Sequence, residues 1–270
     1  MLSFGADYNF YTPLGRNFLG GVISLGYAWD KAEDRFQGNS SILGYGIYDT
    51  FLFHNGIYID STLRAFHSWN TYTSVELGNQ DFSYYGLIAS VEIGKKFRLP
   101  IPTNLNDFYY LKPEFSLSLS YLPSIQKTFI HPTYIPYQTT LHSALPFGSR
   151  LQLDFGKRFE GENLLGDLFL SFGAEYTLNA KGEITLQTDI NQVNLKGENL
   201  FNLKAGIGGN ILINQTFRIY LDLSSKFLGY LQPLINANLG LRITLGSSNP
   251  TYTPPYSTPS TLYSPPFLLD

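Results

Sequence analysis

Apolar residues recur at every second position along most of this chain, and this period limits the possible folds more than any other feature. Between residues 109 and 121 the odd positions hold Tyr, Leu, Pro, Phe, Leu, Leu and Tyr, whereas the even positions hold Tyr110, Lys112, Glu114 and three serines. Successive side chains of a β-strand point to opposite faces, whereas an amphipathic helix needs a period near 3.6. The segment is therefore predicted to be a strand with one apolar and one polar face.

The same alternation marks ten further segments, so the sequence predicts eleven strands. They cover residues 2–8, 19–29, 43–53, 57–69, 85–97, 109–121, 145–155, 168–178, 201–213, 217–224 and 235–245. Short connections with hairpin residues, such as His54-Asn55-Gly56, largely alternate with longer polar ones at 30–40, 71–81, 124–140, 180–198 and 228–234. This order predicts an antiparallel, up-and-down sheet.

Two architectures fit strands of this polarity. A soluble β-sandwich or lipocalin-like module buries its apolar face, whereas an outer-membrane barrel turns that face to lipid and keeps a polar lumen. Charged side chains recur on the polar faces and are the predicted lumen-facing residues. They are Arg64, Glu92, Lys112, Glu114, Arg150, Asp154, Glu175, Lys204, Arg218, Asp222 and Arg242. Both architectures accommodate this set of charged residues.

Strand length favours the membrane barrel. Twelve steps of about 3.3 Å from residue 109 to 121 span roughly 40 Å, and a tilt of about 40° reduces this length to about 30 Å of height, which matches a bilayer. Aromatic residues near strand ends are the predicted interfacial girdle. They are Tyr27, Trp29, Trp69, Tyr109, Tyr121 and Tyr176. The predicted fold class is an all-β, antiparallel, up-and-down transmembrane barrel over residues 1–246.

Composition excludes several classes of function. Asp, Glu, Lys and Arg make up only 14% of the chain, against roughly 25% in ordinary soluble domains. A net charge of −3 without a long basic run argues against nucleic-acid binding. The chain has no Cys, and its four His lack metal-ligand spacing. We expect no cofactor and no metal.

The two ends of the sequence differ from the predicted barrel. Residues 247–270 are rich in Pro, Ser, Thr and Tyr and are predicted to form an extended or disordered tail. At the other end, Met1 leads directly into Leu2-Ser3-Phe4-Gly5, without the basic and apolar regions of a signal peptide. The chain is therefore expected either to remain in the cell or to be the C-terminal part of a longer precursor.

Four segments carry a resemblance to a known family. They are FLGGVISLGY at 18–27, YGIY at 45–48, GIYID at 56–60 followed by Leu63 and Arg64, and NANLGLRI at 236–243. In their order and spacing, over roughly residues 1–245, the chain resembles the C-terminal translocator barrel of autotransporters, the type V secretion proteins of the Gram-negative outer membrane.

This resemblance implies an outer-membrane domain that anchors and translocates an N-terminal passenger, without an active site of its own. Its implied partners are the lipid bilayer, the passenger and the barrel-assembly machinery. The family's barrel has twelve strands and eleven are found here, so the first strand and the helical linker are expected upstream of Met1 or are absent. The family's last strand usually ends on an aromatic residue that the assembly machinery reads, whereas Gly240, Ile243 and Leu245 hold the corresponding positions here.

The predicted strands do not bring a catalytic pair together. His67 and Ser68 are adjacent in one predicted strand, so they point to opposite faces and His67 cannot act as a base for Ser68. Glu92, Glu114 and Asp154 fall on inward faces of consecutive strands, but Lys112 and Arg150 share those faces, which favours charge pairing over self-cleavage of a passenger. We expect no enzyme. A non-secretory porin or adhesin-like barrel is the alternative within the membrane class.

Overall fold

The computed structural model of the chain describes residues 2–32, 36–74, 78–101, 107–129, 137–161, 164–180, 182–188, 191–213, 217–228 and 234–243. Sixteen strands lie in these residues. They are β1 (Leu2–Thr12), β2 (Gly15–Ala32), β3 (Phe36–Phe53), β4 (Ile57–Ser74), β5 (Gly78–Lys95), β6 (Phe97–Arg98), β7 (Phe108–Tyr121), β8 (Ile125–Phe129), β9 (Tyr137–Leu141), β10 (Phe147–Glu160), β11 (Leu164–Leu178), β12 (Ile184–Gln187), β13 (Gln192–Leu195), β14 (Leu200–Ile213), β15 (Phe217–Phe227) and β16 (Leu234–Ile243).

Eleven of these strands form one antiparallel sheet that curls into a half-barrel. The strands follow one another in chain order, β1-β2-β3-β4-β5-β7-β10-β11-β14-β15-β16, and the short β6 pairs with β7. Every hairpin joins sequence neighbours, as an up-and-down topology requires. The predicted fold class and the predicted number of strands are confirmed. Within the described residues, β1 and β16 are the two edges of the sheet.

The polarity of the sheet is inverted relative to a soluble protein. On the polar face of β7, Lys112 is only 3% and Glu114 only 2% exposed, whereas the apolar residues Leu151 of β10 and Leu239 of β16 are 62% and 77% exposed. A sandwich would bury the apolar face and expose the polar one. The exposed apolar face is the arrangement of a barrel whose outer surface contacts lipid.

The two ends of the sheet differ in their connections. At one end, which we call the turn end, tight hairpins at Pro13-Leu14 and His54-Asn55-Gly56 join β1 to β2 and β3 to β4. Gly56 has a φ of +81°, which the absence of a Cβ permits in a tight turn. The connections that contain β8–β9 and β12–β13 leave the opposite end, which we call the loop end.

Two predictions about the connections were wrong. The segments at 124–140 and 180–198 were expected to be polar loops, but they contain β8, β9, β12 and β13, which pair in the order β13-β12-β9-β8. These strands have only four or five residues, too few for the alternation of side chains to be recognised. The segments at 30–40 and 71–81 were also expected to be loops, but β2 to β5 extend into them and each has 18 residues.

The described part of the chain contains no helix with the length and apolar character that a membrane crossing requires.

Candidate functional site

The buried face of the sheet carries a network of charged and amide side chains. Its centre is Lys112 of β7, whose ammonium contacts Glu114 Oε1 at 2.7 Å and Asp154 Oδ2 at 3.0 Å. Lys112 and Asp154 are register partners on β7 and β10, so their side chains lie side by side on the same face. One cation thus contacts two carboxylates that are almost inaccessible to water.

A second pair in the network spans the width of β7. Arg150 Nη2 of β10 contacts Glu92 Oε2 of β5 at 2.6 Å, although β7 lies between those two strands. The residue between them on β7 is Ser116, which is the register partner of both. Because the serine side chain is short, the longer side chains meet above it.

A glycine on β5 allows a similar contact. Tyr58 of β4 reaches across Gly94, its register partner, and its hydroxyl hydrogen-bonds Glu114 of β7. The same hydroxyl lies 2.8 Å from Glu92 Oε1. A Cβ added at Gly94 would lie 2.6 Å from the Tyr58 hydroxyl oxygen. The contact between Tyr58 and the carboxylates therefore depends on a glycine at position 94.

Gln152 of β10 extends the network toward the next strands. Its amide nitrogen donates to Glu114 Oε2 at 3.1 Å and to Asp154 Oδ1 at 2.9 Å. The ammonium of Lys204 on β14 donates to Gln152 Oε1 at 3.5 Å. Glu92, Glu114 and Asp154 each have at least one cationic partner and at least one further hydrogen-bond partner.

Separate ion pairs lie nearer the ends of the sheet. Lys96 contacts Asp167 Oδ1 at 3.0 Å, and Lys226 contacts Glu175 Oε2 at 2.9 Å. Asp107, which precedes β7 at the turn end, accepts a hydrogen bond from Lys157 at 2.9 Å, and this bond holds the pKa of the Asp107 carboxyl below its ordinary value. These pairs add further charge pairing away from the centre of the network.

The eleven predicted lumen-facing residues have the following positions. Seven are buried, namely Arg64, Glu92, Lys112, Glu114, Arg150, Asp154 and Lys204. Glu175, Arg218 and Asp222 are half-buried on β11 and β15. Arg242 is the register partner of Arg218 on β16. The network brings together six members of this set, Glu92, Lys112, Glu114, Arg150, Asp154 and Lys204. Tyr58 and Gln152 also belong to the network, although the sequence did not predict them.

Aromatic rings that cover glycines are a feature that the sequence interpretation missed. On the buried face, an aromatic side chain of one strand lies over a glycine of the neighbouring strand, so a Cβ there would collide with the ring. The ring and glycine pairs are Tyr48 with Gly20, Tyr58 with Gly94, Phe66 with Gly86, Tyr110 with Gly156, Phe159 with Gly166, Phe169 with Gly208 and Tyr220 with Gly240. The inward glycines thus leave space that aromatic rings of the neighbouring strands occupy.

The predicted aromatic girdle and assembly residues are placed as follows. Tyr27, Trp29, Trp69, Tyr121 and Tyr176 are exposed and lie near the loop end of their strands, whereas Tyr109 is half-buried near the turn end of β7. Gly240 and Ile243 lie in β16, and Leu245 and the tail at 247–270 lie outside the described residues. The roles of the aromatic residues as an interfacial girdle and of the last-strand residues as an assembly signal stay predictions.

His67 is separated from Ser68, the nucleophile that it was considered to activate. The ring of His67 packs against Trp69 at 4.0 Å and Tyr85 at 4.2 Å between centroids, whereas Ser68 is buried and donates to Asn70 Oδ1. His54 is exposed in a turn, and His131 lies outside the described residues. His142 Nε2 lies 2.8 Å from Thr185 Oγ1 on the exposed loop-end sheet. Among the described residues, no cluster of His, Asp and Glu suits a metal ion.

An antiparallel, curled sheet with a paired polar interior and an apolar exterior defines the class of outer-membrane β-barrel proteins. The family model "Autotransporter beta-domain" matches residues 1–224. The chain belongs to this autotransporter β-domain family. It is therefore a domain of the outer membrane of a Gram-negative bacterium, where it anchors and translocates a passenger. The soluble sandwich is excluded as an alternative.

Curated relatives match over most of this chain. Serine protease EatA of Escherichia coli O78:H11 is 26% identical over 214 residues, which are 77% of this chain and 15% of that protein. The serine protease Sat autotransporter of Escherichia coli O6:H1 is 26% identical over 239 residues, which are 87% of this chain and 18% of that protein. The chain thus spans less than a fifth of the length of these relatives.

Solved structures support the fold. The β-domain of the Bordetella autotransporter BrkA superposes with a TM-score of 0.70 at 18% identity, covering 90% of this chain and 89% of that one. The transport unit of the autotransporter AIDA-I from Escherichia coli superposes with a TM-score of 0.70 at 14% identity, covering 90% and 81%.

Proposed function

We propose that the buried polar face lines the lumen through which the passenger crosses the outer membrane, and that the exposed apolar face contacts the lipid. The inverted polarity of the sheet carries this proposal. Lys112, Glu114 and Asp154 satisfy one another, so they remain paired when water in the lumen is displaced by a passing polypeptide. The interior thus presents a polar surface without an unpaired charge at its centre.

The orientation in the membrane follows from the connections. Outer-membrane barrels have short periplasmic turns and longer extracellular loops. The turn end therefore faces the periplasm, and the loop end with its four-stranded sheet faces the outside. The exposed aromatic residues Tyr27, Trp29, Trp69, Tyr121 and Tyr176 then lie at the outer interface, and Tyr109 lies at the periplasmic one.

The absence of Cys from the sequence makes the assigned faces easy to test. Single cysteines at Leu117 and Ser118, neighbours on β7, are expected to differ in labelling. In cells whose outer membrane has been made permeable, a water-soluble maleimide should label S118C and leave L117C unmodified. Equal labelling, or labelling of L117C alone, would contradict the assignment. Heat-modifiable gel migration of both variants provides the control for folding.

The domain is proposed to act without catalysis. The carboxylates that a self-cleaving barrel would use are charge-paired or hydrogen-bonded. Isosteric substitution of Glu92 or Glu114 by Gln should therefore leave the size of the passenger at the cell surface unchanged, as measured by immunoblotting of intact cells, even where loss of the charge pair lowers the amount of folded barrel. Accumulation of an uncut precursor in either variant would show that the carboxylate acts in cleavage. The serine protease activity named for EatA and Sat is proposed to reside outside the segment that this chain matches.

The partners of the domain are proposed to be its own passenger, the lipid bilayer and the barrel-assembly machinery. The assembly machinery is expected to recognise the last strand at Gly240, Ile243 and Leu245. Substitution of Ile243 by Asp should lower the amount of folded barrel in the outer membrane, whereas Ile235→Asp at the opposite end of the strand serves as the comparison. Equal effects of both substitutions would indicate a general loss of apolar surface instead of a signal.

A further inference from the structure

Tyrosines on the buried face reach across a glycine to the strand beyond it. Tyr48 of β3 crosses Gly20 of β2, and its hydroxyl donates to Asp7 Oδ2 of β1 at 2.9 Å. Asp7 is the register partner of Gly20, so the three side-chain positions lie in one row across three strands. Tyr58 makes the same kind of contact with Glu114. In both rows the hydroxyl of one strand ends on a carboxylate two strands away.

Tyr220 of β15 has the same position over a glycine, but at the edge of the sheet. Its register partner is Gly240 of β16, and a Cβ added at Gly240 would collide with the Tyr220 ring and hydroxyl. In the described part of the chain, β16 is the last strand of the sheet. Within the described residues, the Tyr220 hydroxyl also has no hydrogen-bond partner. The tip of this side chain thus lies over β16, next to the open edge of the sheet.

A third tyrosine shows the alternative arrangement, in which the residue beyond the glycine is apolar. Tyr110 of β7 crosses Gly156, whose register partner on β11 is Phe169. The Tyr110 ring instead lies beneath the Lys96 ammonium, at 4.0 Å from its centroid. Tyr220 has no such cation over its ring among the residues that the structure describes. It therefore lacks both kinds of partner that the other tyrosines have.

The directions of the strands limit what can lie beside β16. Every neighbouring pair in the path of eleven strands is antiparallel, so β1 and β16 run in the same direction. One further strand between them would be antiparallel to both and would give the even number of strands that bacterial outer-membrane barrels have. The inward residues Asn9 of β1 and Asn238 of β16 are exposed, whereas Asn202 and Asn210 of β14 are buried. The inner face is therefore exposed at both edges, where a neighbouring strand would cover it.

The charges around Gly240 favour a carboxylate as the residue beside it. Arg218 and Arg242 are register partners, two positions from Tyr220 and Gly240 along their strands. Two positions from Tyr220 in the other direction, the inward residue of β15 is Asp222. These inward positions thus carry two cations and one anion. A carboxylate beside Gly240 would balance them, and it would accept a charge-assisted hydrogen bond, which is stronger than one to a neutral acceptor.

We propose that the strand that closes the barrel beside β16 carries an Asp or Glu at the position paired with Gly240, and that the Tyr220 hydroxyl donates to this carboxylate. The occupant of the edge is one further antiparallel strand of this domain. The contact fixes the register of that strand, since a shift by one residue would turn the carboxylate toward lipid. The proposal rests on the proposed function, because a sheet needs closure where lipid leaves its edges without hydrogen-bond partners.

Photo-cross-linking in the complete protein, in the outer membrane of cells, tests the contact. The photoreactive residue p-azidophenylalanine is placed at Tyr220 in one variant and at Tyr48 in a control variant, and mass spectrometry of the digested barrel identifies the partner. The control should cross-link to the β1 peptide that contains Asp7. The variant at Tyr220 should cross-link to a segment outside the described strands that has the alternation of a barrel strand, at or next to an Asp or Glu.

Removal of the hydroxyls gives a second measurement, in which the ring over the glycine is kept. In the complete protein refolded in vesicles, Tyr220→Phe should lower the urea midpoint to a degree comparable with Tyr48→Phe. The acid found by cross-linking is then changed to Ala, alone and together with Y220F. Because the two groups share one interaction, the loss caused by the alanine should be smaller in the Y220F background.

The results separate this proposal from the proposed function. Cross-linking of the Tyr220 variant to β1, or to a strand without an Asp or Glu at that position, would overturn the contact while the barrel assignment stands. An unchanged urea midpoint for Y220F, beside a lowered midpoint for Y48F, would overturn it as well. If the unmodified protein shows no heat-modifiable migration, it forms no membrane barrel, and both proposals are wrong.

Discussion

Lys112 shows, at the scale of single residues, how the interior tolerates charge. Buried ion pairs contribute little net stability, because the cost of removing charges from water offsets their attraction. Removing one partner is far more costly, because it leaves the remaining charge buried and unpaired. Lys112 contacts two carboxylates, so its loss would leave two acidic groups without their common cation. The residue is therefore expected to matter for folding instead of transport.

Substitution of Lys112 by Met is predicted to destabilise the folded barrel by about 3–5 kcal/mol, the range for breaking a buried pair. The urea midpoint of the barrel refolded in vesicles measures the change. Lys157→Met is the matched control, since the Lys157 side chain is 40% exposed in its pair with Asp107 and its loss should not shift the midpoint measurably. Similar midpoints for the two variants would show that the Lys112 network is not protected from water.

The contact between Tyr110 and Gly156 makes a second prediction at this scale. A Cβ at Gly156 would lie 2.5 Å from the Tyr110 hydroxyl and 2.7 Å from the Leu168 carbonyl oxygen. Gly156→Ala should therefore cost about 1–3 kcal/mol through overpacking. Gly21→Ala on the open outer face should change stability by less than about 0.5 kcal/mol. Urea unfolding of both variants measures the change in stability. Equal effects of the two substitutions would imply that the Tyr110 ring moves aside freely.

At the scale of elements, strand β7 takes part in two sets of contacts on its polar face. Its polar face supplies Lys112 and Glu114 to the network, and its short Ser116 allows Arg150 and Glu92 to meet across it. Its apolar face, with Phe115 and Leu119 exposed, points away from the interior. Because the side-chain period of a strand is two, a shift in register by one residue would exchange these faces completely.

Arginine scanning of β7 therefore separates the two faces. Leu117→Arg is predicted to reduce the stability of the inserted barrel by about 2–4 kcal/mol, since it places a charge toward lipid near the middle of the bilayer. Ser118→Arg, on the neighbouring inward position, should be tolerated or only narrow the lumen. Folded yield on a heat-modifiable gel and the urea midpoint provide the readouts. Equal tolerance of both substitutions would refute the assigned faces.

At the scale of the whole molecule, the sheet is curled but open between β1 and β16 in the described residues. An edge strand exposes unpaired N–H and C=O groups, and lipid offers them no hydrogen-bond partners. A barrel in a membrane must therefore pair both edges. Direct pairing of β1 with β16 and insertion of another strand between them are the two solutions, and the family resemblance favours the second.

We predict that a form of the domain extended at its N-terminus by one further barrel strand resists heat and protease much better than residues 1–270 alone. The extra strand would satisfy the backbone groups of β1 and β16 together. Gel migration against temperature and the survival time in trypsin measure both forms. If residues 1–245 alone close with β1 hydrogen-bonded to β16 and show equal resistance, the additional strand is unnecessary and the proposal is wrong.

The number, order and antiparallel connection of the sheet strands followed from the sequence, because a period of two is a local property that short turns interrupt. The position of Lys112 and Glu114 on one face of β7 followed for the same reason. The short strands β8, β9, β12 and β13 escaped this reasoning, since a few residues of a polar segment show no clear period. Their pairing depends on contacts between two connections that are far apart in the sequence.

The alternation of apolar and polar residues by itself determined that the sheet has two faces of opposite polarity. Only the tertiary structure decided which of these faces is buried. That choice depends on the curl of the whole sheet, which encloses the polar face and exposes Leu151 and Leu239. The register between strands also belongs to the tertiary structure. It places Tyr58 beside Gly94, and it places Arg150 and Glu92 on either side of Ser116. A small residue on one strand leaves a space, and the register decides which side chains of the neighbouring strands fill it.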